Sequence, residues 1–196
     1  MLPIPDRDFK AYIFDCDGTL VESMPVHFSC WVEALRLSGA TYDFTEEEFY
    51  FYAGVSEFDT VVILNEKHGA RVNPRQVVET KAEMFHQRIH EVKRIDIVAN
   101  YAESLHGRYP IAVASGSEAP IVHACLKNND LFHLFPHIIT PEDVLRGKPA
   151  PDMFLLAAER MGVAPEDCLV FEDGRSGLEA AKAAGMETVY VPRTLR

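Results

Sequence analysis

The sequence predicts an α/β fold: a parallel sheet covered by helices and interrupted, after its first strand, by a helical insertion. Three observations carry this. Short apolar runs recur in the second half of the chain, helical patterns alternate with them, and the stretch after the first run holds helical patterns without a strand.

The first run is AYIFD, from Ala11 to Asp15, which stops at acidic residues and Gly18 as a buried parallel strand ending in a functional turn does. Comparable runs stand at 111–115 (IAVAS), 137–140 (HIIT), 168–172 (CLVFE) and 187–191 (ETVYV). Between them Ile97, Val98, Tyr101, Ala102 and Leu105 lead to Gly107, Met153 to Arg160 lead to Gly162, and Leu178 to Ala184 lead to Gly185. Each pattern has helical spacing, and each glycine suits the position just past a helix end. The alternation implies a Rossmann-like parallel sheet, in which ligands bind beyond the carboxyl ends of the strands.

Residues 22–94 read as the insertion. Cys30, Trp31, Ala34 and Leu35 precede Gly39, and Thr45 with Glu48 has capping-box spacing. A third helix is expected from Ser56 to Gly69. A fourth starts at Asn73, with Pro74 in its first turn and Val77, Val78, Lys81, Met84, Phe85 and Ile89 on one side. The expected division is therefore 1–21 with 95–196 as the α/β core, and 22–94 as a helical cap. An insertion that leaves from the end of a catalytic strand is placed to act as a lid.

Composition bounds the function classes. With 47% hydrophobic and 25% charged residues, a chain of 196 can bury a proper core and is expected to be ordered. Its 30 acidic against 19 basic side chains give a net charge of −11, with Lys and Arg scattered, which argues against a nucleic-acid partner. An acidic protein that handles phosphate must build a local positive spot from a metal, a lysine or helix N-termini. No stretch approaches the ~18 apolar residues of a membrane span and the start has no signal-peptide core, so a soluble, cytoplasmic protein without membrane attachment is expected. Cys16, Cys30, Cys125 and Cys168 lie far apart with no CxxC, as reduced intracellular thiols do.

Four segments could do chemistry. DCDGTLVES (15–23) puts Asp15 and Asp17 two residues apart at a strand end, where i and i+2 face the same way. Such carboxylates repel and need a cation, a shared proton or a division of labour; a solvated acidic turn would explain the same pair taken alone. Ser115, Gly116 and Ser117 occupy a strand-to-helix turn, which suits a phosphate and equally suits an ordinary cap. Lys148 precedes a Pro-rich helix start, although most lysines are simply solvated. Glu172 and Asp173 close another apolar strand, offering the oxygen ligands that Mg²⁺ prefers, and a capping role would explain Asp173 alone as well. Together the four place one site at one edge of the sheet.

In this order the segments resemble the haloacid dehalogenase superfamily of phosphatases. DCDGTL is similar to its first motif, Ser115 to its second, Lys148 in GKPAPD to its third, and Glu172 with Asp173 to its fourth. The resemblance spans essentially the whole chain. More narrowly, the chain is similar to the subfamily of β-phosphoglucomutase and the small sugar-phosphate phosphatases, with a close likeness to bacterial fructose-1-phosphate phosphatase-like proteins. Gly174 stands where that subfamily often has serine, a change expected to loosen support for the metal without removing a ligand.

The resemblance implies a small phosphorylated metabolite as substrate, Asp15 as nucleophile forming an aspartyl-phosphate, and Asp17 as general acid/base. It implies Mg²⁺ held by Asp15, the Asp17 backbone carbonyl and Asp173, with Glu172 acting through water, and phosphoryl oxygens bound by Ser115, the Gly116 N–H and Lys148. His27 corresponds to a cap-hinge histidine that orients the acid/base; an ordinary surface histidine is the other reading. Cys16, facing away between the two aspartates, is expected to be packed and inert. A monomer or weak homo-oligomer is expected. The rival reading is a phosphosugar mutase. Where mutases carry an arginine after a Gly-Val-Ser segment, this chain has Glu57 after Gly54, Val55 and Ser56, and a carboxylate there would repel a second phosphate by a few kcal/mol. A non-enzymatic relative would be expected to have lost Asp15, Asp17 or Asp173, and all three are present.

Overall fold

A computed structural model describes residues 2–52 and 55–195. The chain forms two compact units, the first from the segment up to Ser23 together with that from Val92 onward, the second from Met24–Glu91. Gly54, invoked above for the comparison with mutases, lies outside the described residues.

The first unit is built on a five-stranded sheet of β1 (Ala11–Phe14), β4 (Ile111–Ala114), β5 (His137–Ile139), β6 (Cys168–Glu172) and β7 (Glu187–Tyr190). Its order is β5-β4-β1-β6-β7, and every pairing is parallel. β1, in the middle, is buried along its whole length, which is why AYIF is apolar at consecutive positions instead of alternating. On one face Ala11, Ile13, Ala112, Ala114 and Val170 pack against α7 (Asp152–Met161) and α8 (Arg175–Ala183), through Met153, Phe154, Ala157, Ala158, Ala180 and Ala181. The other face is aromatic: Phe14 stacks on Phe171 at 4.7 Å between centroids, and Tyr101 of α5 (Asp96–Leu105) closes on Phe171 at 5.3 Å. α6 (Ala119–Asn128) follows β4, and α7 stops at Gly162 in the left-handed conformation (φ 68°), where the sequence placed its end. All four cysteines are free and buried. No described helix is long and apolar enough to cross a membrane.

The sequence boundary of 22–94 shifts inward on both sides. β2 (Val21–Glu22) pairs antiparallel with β3 (Lys93–Arg94), so the chain leaves and re-enters this unit through a two-stranded ribbon. Strands of two residues have no periodicity to read, which is why the pattern showed only helices here.

The second unit consists of α1 (Met24–Leu37), α2 (Glu46–Phe51), α3 (Glu57–His68) and α4 (Pro74–Gln87), with a short 3₁₀ turn at Ile89–Glu91. The expected starts are built as caps. Thr45 accepts the Glu48 N–H while Glu48 accepts the Thr45 N–H, Ser56 accepts from Asp59, and Asn73 accepts from Arg75 and Gln76 ahead of Pro74. Trp31, Leu35, Phe44, Phe49, Val61, Leu64 and Val77 form the unit's own core.

Candidate active site

Three neighbouring strands, β4, β1 and β6, end side by side, and their carboxyl ends deliver a serine and the acids. The β1–β6 ladder continues one residue past the end of β1, Asp15 N–H donating to the Phe171 carbonyl at 2.9 Å, which sets Asp15 beside Glu172. Ser115 N–H donates to the Ile139 carbonyl at 3.0 Å and holds the end of β4. After Asp15 the chain wraps on itself. The N–H groups of Thr19, Leu20 and Val21 converge on the Cys16 carbonyl at 3.3, 2.9 and 3.0 Å, and Gly18 supplies the left-handed residue (φ 85°) that this tight turn requires. The turn brings Asp17 under two hydroxyls: Ser23 Oγ donates to its Oδ1 at 2.6 Å and Ser115 Oγ to its Oδ2 at 3.2 Å.

Lys148 reaches this edge from the loop before α7, where its bond to Pro149 is cis. Its Nζ donates to Asp15 Oδ1 at 2.8 Å and to Glu172 Oε2 at 2.7 Å, and the three side chains are 6%, 7% and 4% exposed. Burial pushes the Asp15 carboxyl up to about 7, the Glu172 charge adds to the rise, and Lys148 opposes it. Burial raises Glu172 as well. For Lys148 burial works toward neutrality, but Asp15 and Glu172 outweigh it and hold the ammonium above the ordinary lysine range. Two buried carboxylates against one ammonium leave excess negative charge.

The residues fit a divalent cation. Asp15, Glu172 and Asp173 each offer an oxygen within 4.8 Å of the others, and Asp15 Oδ2 is buried with no hydrogen-bond partner. An all-oxygen donor set of this kind suits a hard cation such as Mg²⁺. The Asp17 side chain is not one of these three and is held on the serines.

The structure therefore brings Asp15, Asp17, Ser115, Lys148, Glu172 and Asp173 to one edge, with Gly116 exposed next to Ser115. His27 and Glu57 belong to the helical unit. His27 is 6% exposed and stacked on Phe85 at 4.0 Å, which removes the surface-histidine reading. Glu57 is not a bare carboxylate: it pairs with Lys81, whose side chain is 1% exposed and whose Nζ lies 5.7 Å from the Phe85 ring centre. Repulsion by Glu57 is thus largely cancelled within its own pair. At Gly174 the backbone N–H donates to Glu172 Oε1 at 3.0 Å. Cys16 is fully buried and its thiol is pushed well up by burial, so it is inert packing.

Ser23 escaped the sequence reading. Its only signal was a hydroxyl six residues beyond Asp17, at the far side of the Asp-Gly turn, and the contact depends on how that turn closes.

Comparison with known proteins agrees with this geometry. Residues 9–185 match the family model described as haloacid dehalogenase-like hydrolase. The chain is 36% identical over 187 residues to the fructose-1-phosphate phosphatase YqaB of Escherichia coli, covering 93% of this chain and 96% of that protein. It is 29% identical over 192 residues to the β-phosphoglucomutase of Bacillus subtilis, covering 93% and 83%. The crystal structure of CbbY from Rhodobacter sphaeroides superposes with a TM-score of 0.81 over 92% of this chain and 84% of that one, and at 24% identity it supports the fold alone. The sheet order, the acidic edge tied by a lysine and the match over nearly the whole chain agree: this protein belongs to the haloacid dehalogenase-like hydrolases, as a phosphoric monoester hydrolase.

Proposed function

We propose that this protein is a Mg²⁺-dependent phosphatase of small sugar phosphates, with fructose 1-phosphate as the first substrate to test. The observation that carries the reading is the bridge of Lys148 between Asp15 and Glu172 at the carboxyl edge of the sheet, beside Asp17 and its two serines.

In this reading an Asp15 oxygen attacks phosphorus, the bond to the sugar oxygen breaks, and an aspartyl-phosphate forms. Asp17 gives its proton to the departing alkoxide, then takes one from the water that attacks the acyl phosphate, releasing phosphate and restoring Asp15. Ser115, the Gly116 N–H and Lys148 bind the phosphoryl oxygens and stabilise charge in the transition state. Ser23 holds the Asp17 carboxyl in place for both transfers, while the single Ser115 hydroxyl proton, which rests on Asp17 at 3.2 Å, turns to the phosphoryl group when it binds. Asp15, the Asp17 carbonyl and Asp173 would hold the cation, with Glu172 contributing through water because Lys148 and Gly174 already engage both its oxygens. When bound, Mg²⁺ offsets the repulsion between the anionic nucleophile and the anionic phosphate.

The helical unit is the part we assign to substrate choice. Its Glu57–Lys81 pair carries no net charge and so offers no anchor for a second phosphate, which favours hydrolysis of a monophosphate over mutase turnover. The likeness to a β-phosphoglucomutase keeps that alternative open to direct assay. Phosphate release should be screened across sugar monophosphates with and without Mg²⁺, alongside conversion of β-glucose 1-phosphate to glucose 6-phosphate. Release that needs Mg²⁺ and disappears in Asp15→Asn supports the proposal; full release by Asp15→Asn, or isomerisation without release, sinks it.

A further inference from the structure

Glu172 ends β6, but its side chain does not extend away from the fold. It lies back across the first turn of α8, with Oε1 on the Gly174 N–H at 3.0 Å and Oε2 on Lys148 Nζ at 2.7 Å. The surface it lies on is Gly177, the third residue of that helix and one of its buried positions. A Cβ at 177 would sit 2.1 Å from both Cδ and Oε2 of Glu172 and 2.6 Å from its Cγ. Non-bonded carbon atoms rest at about 3.5–4.0 Å, so the two groups cannot share this space.

Backbone geometry does not explain a glycine here. Gly177 is absent from the positive-φ glycines, its place is helical, and glycine is the poorest helix former after proline, by about 1 kcal/mol against alanine. What the position demands is volume. Gly174, on the same carboxylate, is less constrained, since a Cβ there would meet Glu172 Oε1 at 3.3 Å, a distance that small shifts can relieve.

We propose that Gly177 is a positioning residue of the active site: its missing side chain is the seat of the Glu172 carboxylate, and through Glu172 it fixes Lys148 against Asp15. This rests on the assignment of Asp15 and Lys148 above. A methyl at 177 drives the carboxylate off its seat by about 1 Å or more, and the Gly174 and Lys148 bonds cannot both keep their lengths. Lys148 then keeps Asp15 as its one anchor, and a displacement of about 1 Å in such a site costs on the order of 100-fold in rate.

The test is a double-mutant cycle of wild type, G177A, E172A and E172A/G177A. It is read by kcat and KM for phosphate release from fructose 1-phosphate in saturating Mg²⁺, and by the Tm of each metal-free protein. With Glu172 cut back to alanine nothing remains for the 177 methyl to strike. The expected result is a loss of about 100-fold in kcat for G177A with a smaller change in KM, and a fall in its Tm. E172A/G177A should match E172A in kcat within about twofold and melt no lower than E172A. The proposal is overturned if G177A stays within about twofold of wild type, or if it costs the same factor and the same Tm loss in both backgrounds. Should G177A not fold, the comparison of E172A with E172A/G177A still decides, because a lower Tm for the double variant contradicts the seat. Failure of the catalytic reading would show separately, as phosphate release surviving Asp15→Asn while the Tm cycle still reports coupling between 172 and 177.

Discussion

Lys148 and Asp15 lie 133 residues apart in the chain, yet their side chains meet at 2.8 Å, each almost wholly out of water. The ammonium offsets a carboxylate that burial works to neutralise, and it does the same for Glu172. Lys148→Met should therefore leave two facing buried acids without their counter-charge. Loss of a buried ionic partner costs about 3–5 kcal/mol, and loss of a charge-stabilising donor about 10²–10³ in kcat. Urea unfolding and phosphate release would check both, and a variant within about twofold of wild-type kcat contradicts the assignment of Lys148.

Burial, followed by the Glu172 charge, pushes the Asp15 carboxyl up from its ordinary 3.8 to about 7. For an acid raised on folding, its contribution to stability is fully present below the unfolded value and is lost as pH rises through the folded one. The metal-free protein should accordingly lose stability between about pH 4 and pH 7 on this account, and a cation that replaces the proton should restore it. We expect the Tm increase on adding Mg²⁺ to be larger at about pH 8 than at about pH 5.5, by differential scanning fluorimetry. An equal increase at both values would remove Asp15 from the binding site.

Glu57 and Lys81 should respond unequally to substitution. Glu57→Gln strands an ammonium that is 1% exposed, whereas Lys81→Met leaves a carboxylate that is 38% exposed and able to hydrate. We expect Glu57→Gln to destabilise the protein by about 2–3 kcal/mol and Lys81→Met by less than about 1 kcal/mol. Chemical denaturation of the two variants side by side would show whether the order holds.

The capping box of α2 offers a smaller effect. Thr45→Ala removes the acceptor for the Glu48 N–H and should cost about 1 kcal/mol. Glu48 is itself held down to about 2, first by Lys67 and then by the Thr45 N–H, so this stabilisation is present above its ordinary 4.5 and fades as pH falls toward about 2. The Tm difference between Thr45→Ala and wild type should shrink in acid, because part of the partnership it removes has already gone.

Much of this arrangement was legible in the residues themselves. Asp15, Asp17, Glu172 and Asp173 follow short apolar runs that read as buried strands, and a parallel sheet sends such residues to one edge. The caps at Thr45, Ser56 and Asn73 were legible for the same reason, since capping joins residues two or three apart. Ser23 was harder, because its bond to Asp17 depends on the closure of a turn whose pattern has no period.

By itself, then, the sequence determined the longer helices, the sheet strands, their order along the chain and the edge on which the acids collect, because these follow from side-chain periodicity and local hydrogen bonding. Tertiary structure alone decided which oxygen Lys148 holds, that Glu57 is answered by Lys81, and that a Cβ at 177 would meet the Glu172 carboxylate. Those facts depend on distances of a few ångströms between residues far apart in the chain or on adjoining elements, and such distances are set by how sheet, loop and helix pack together.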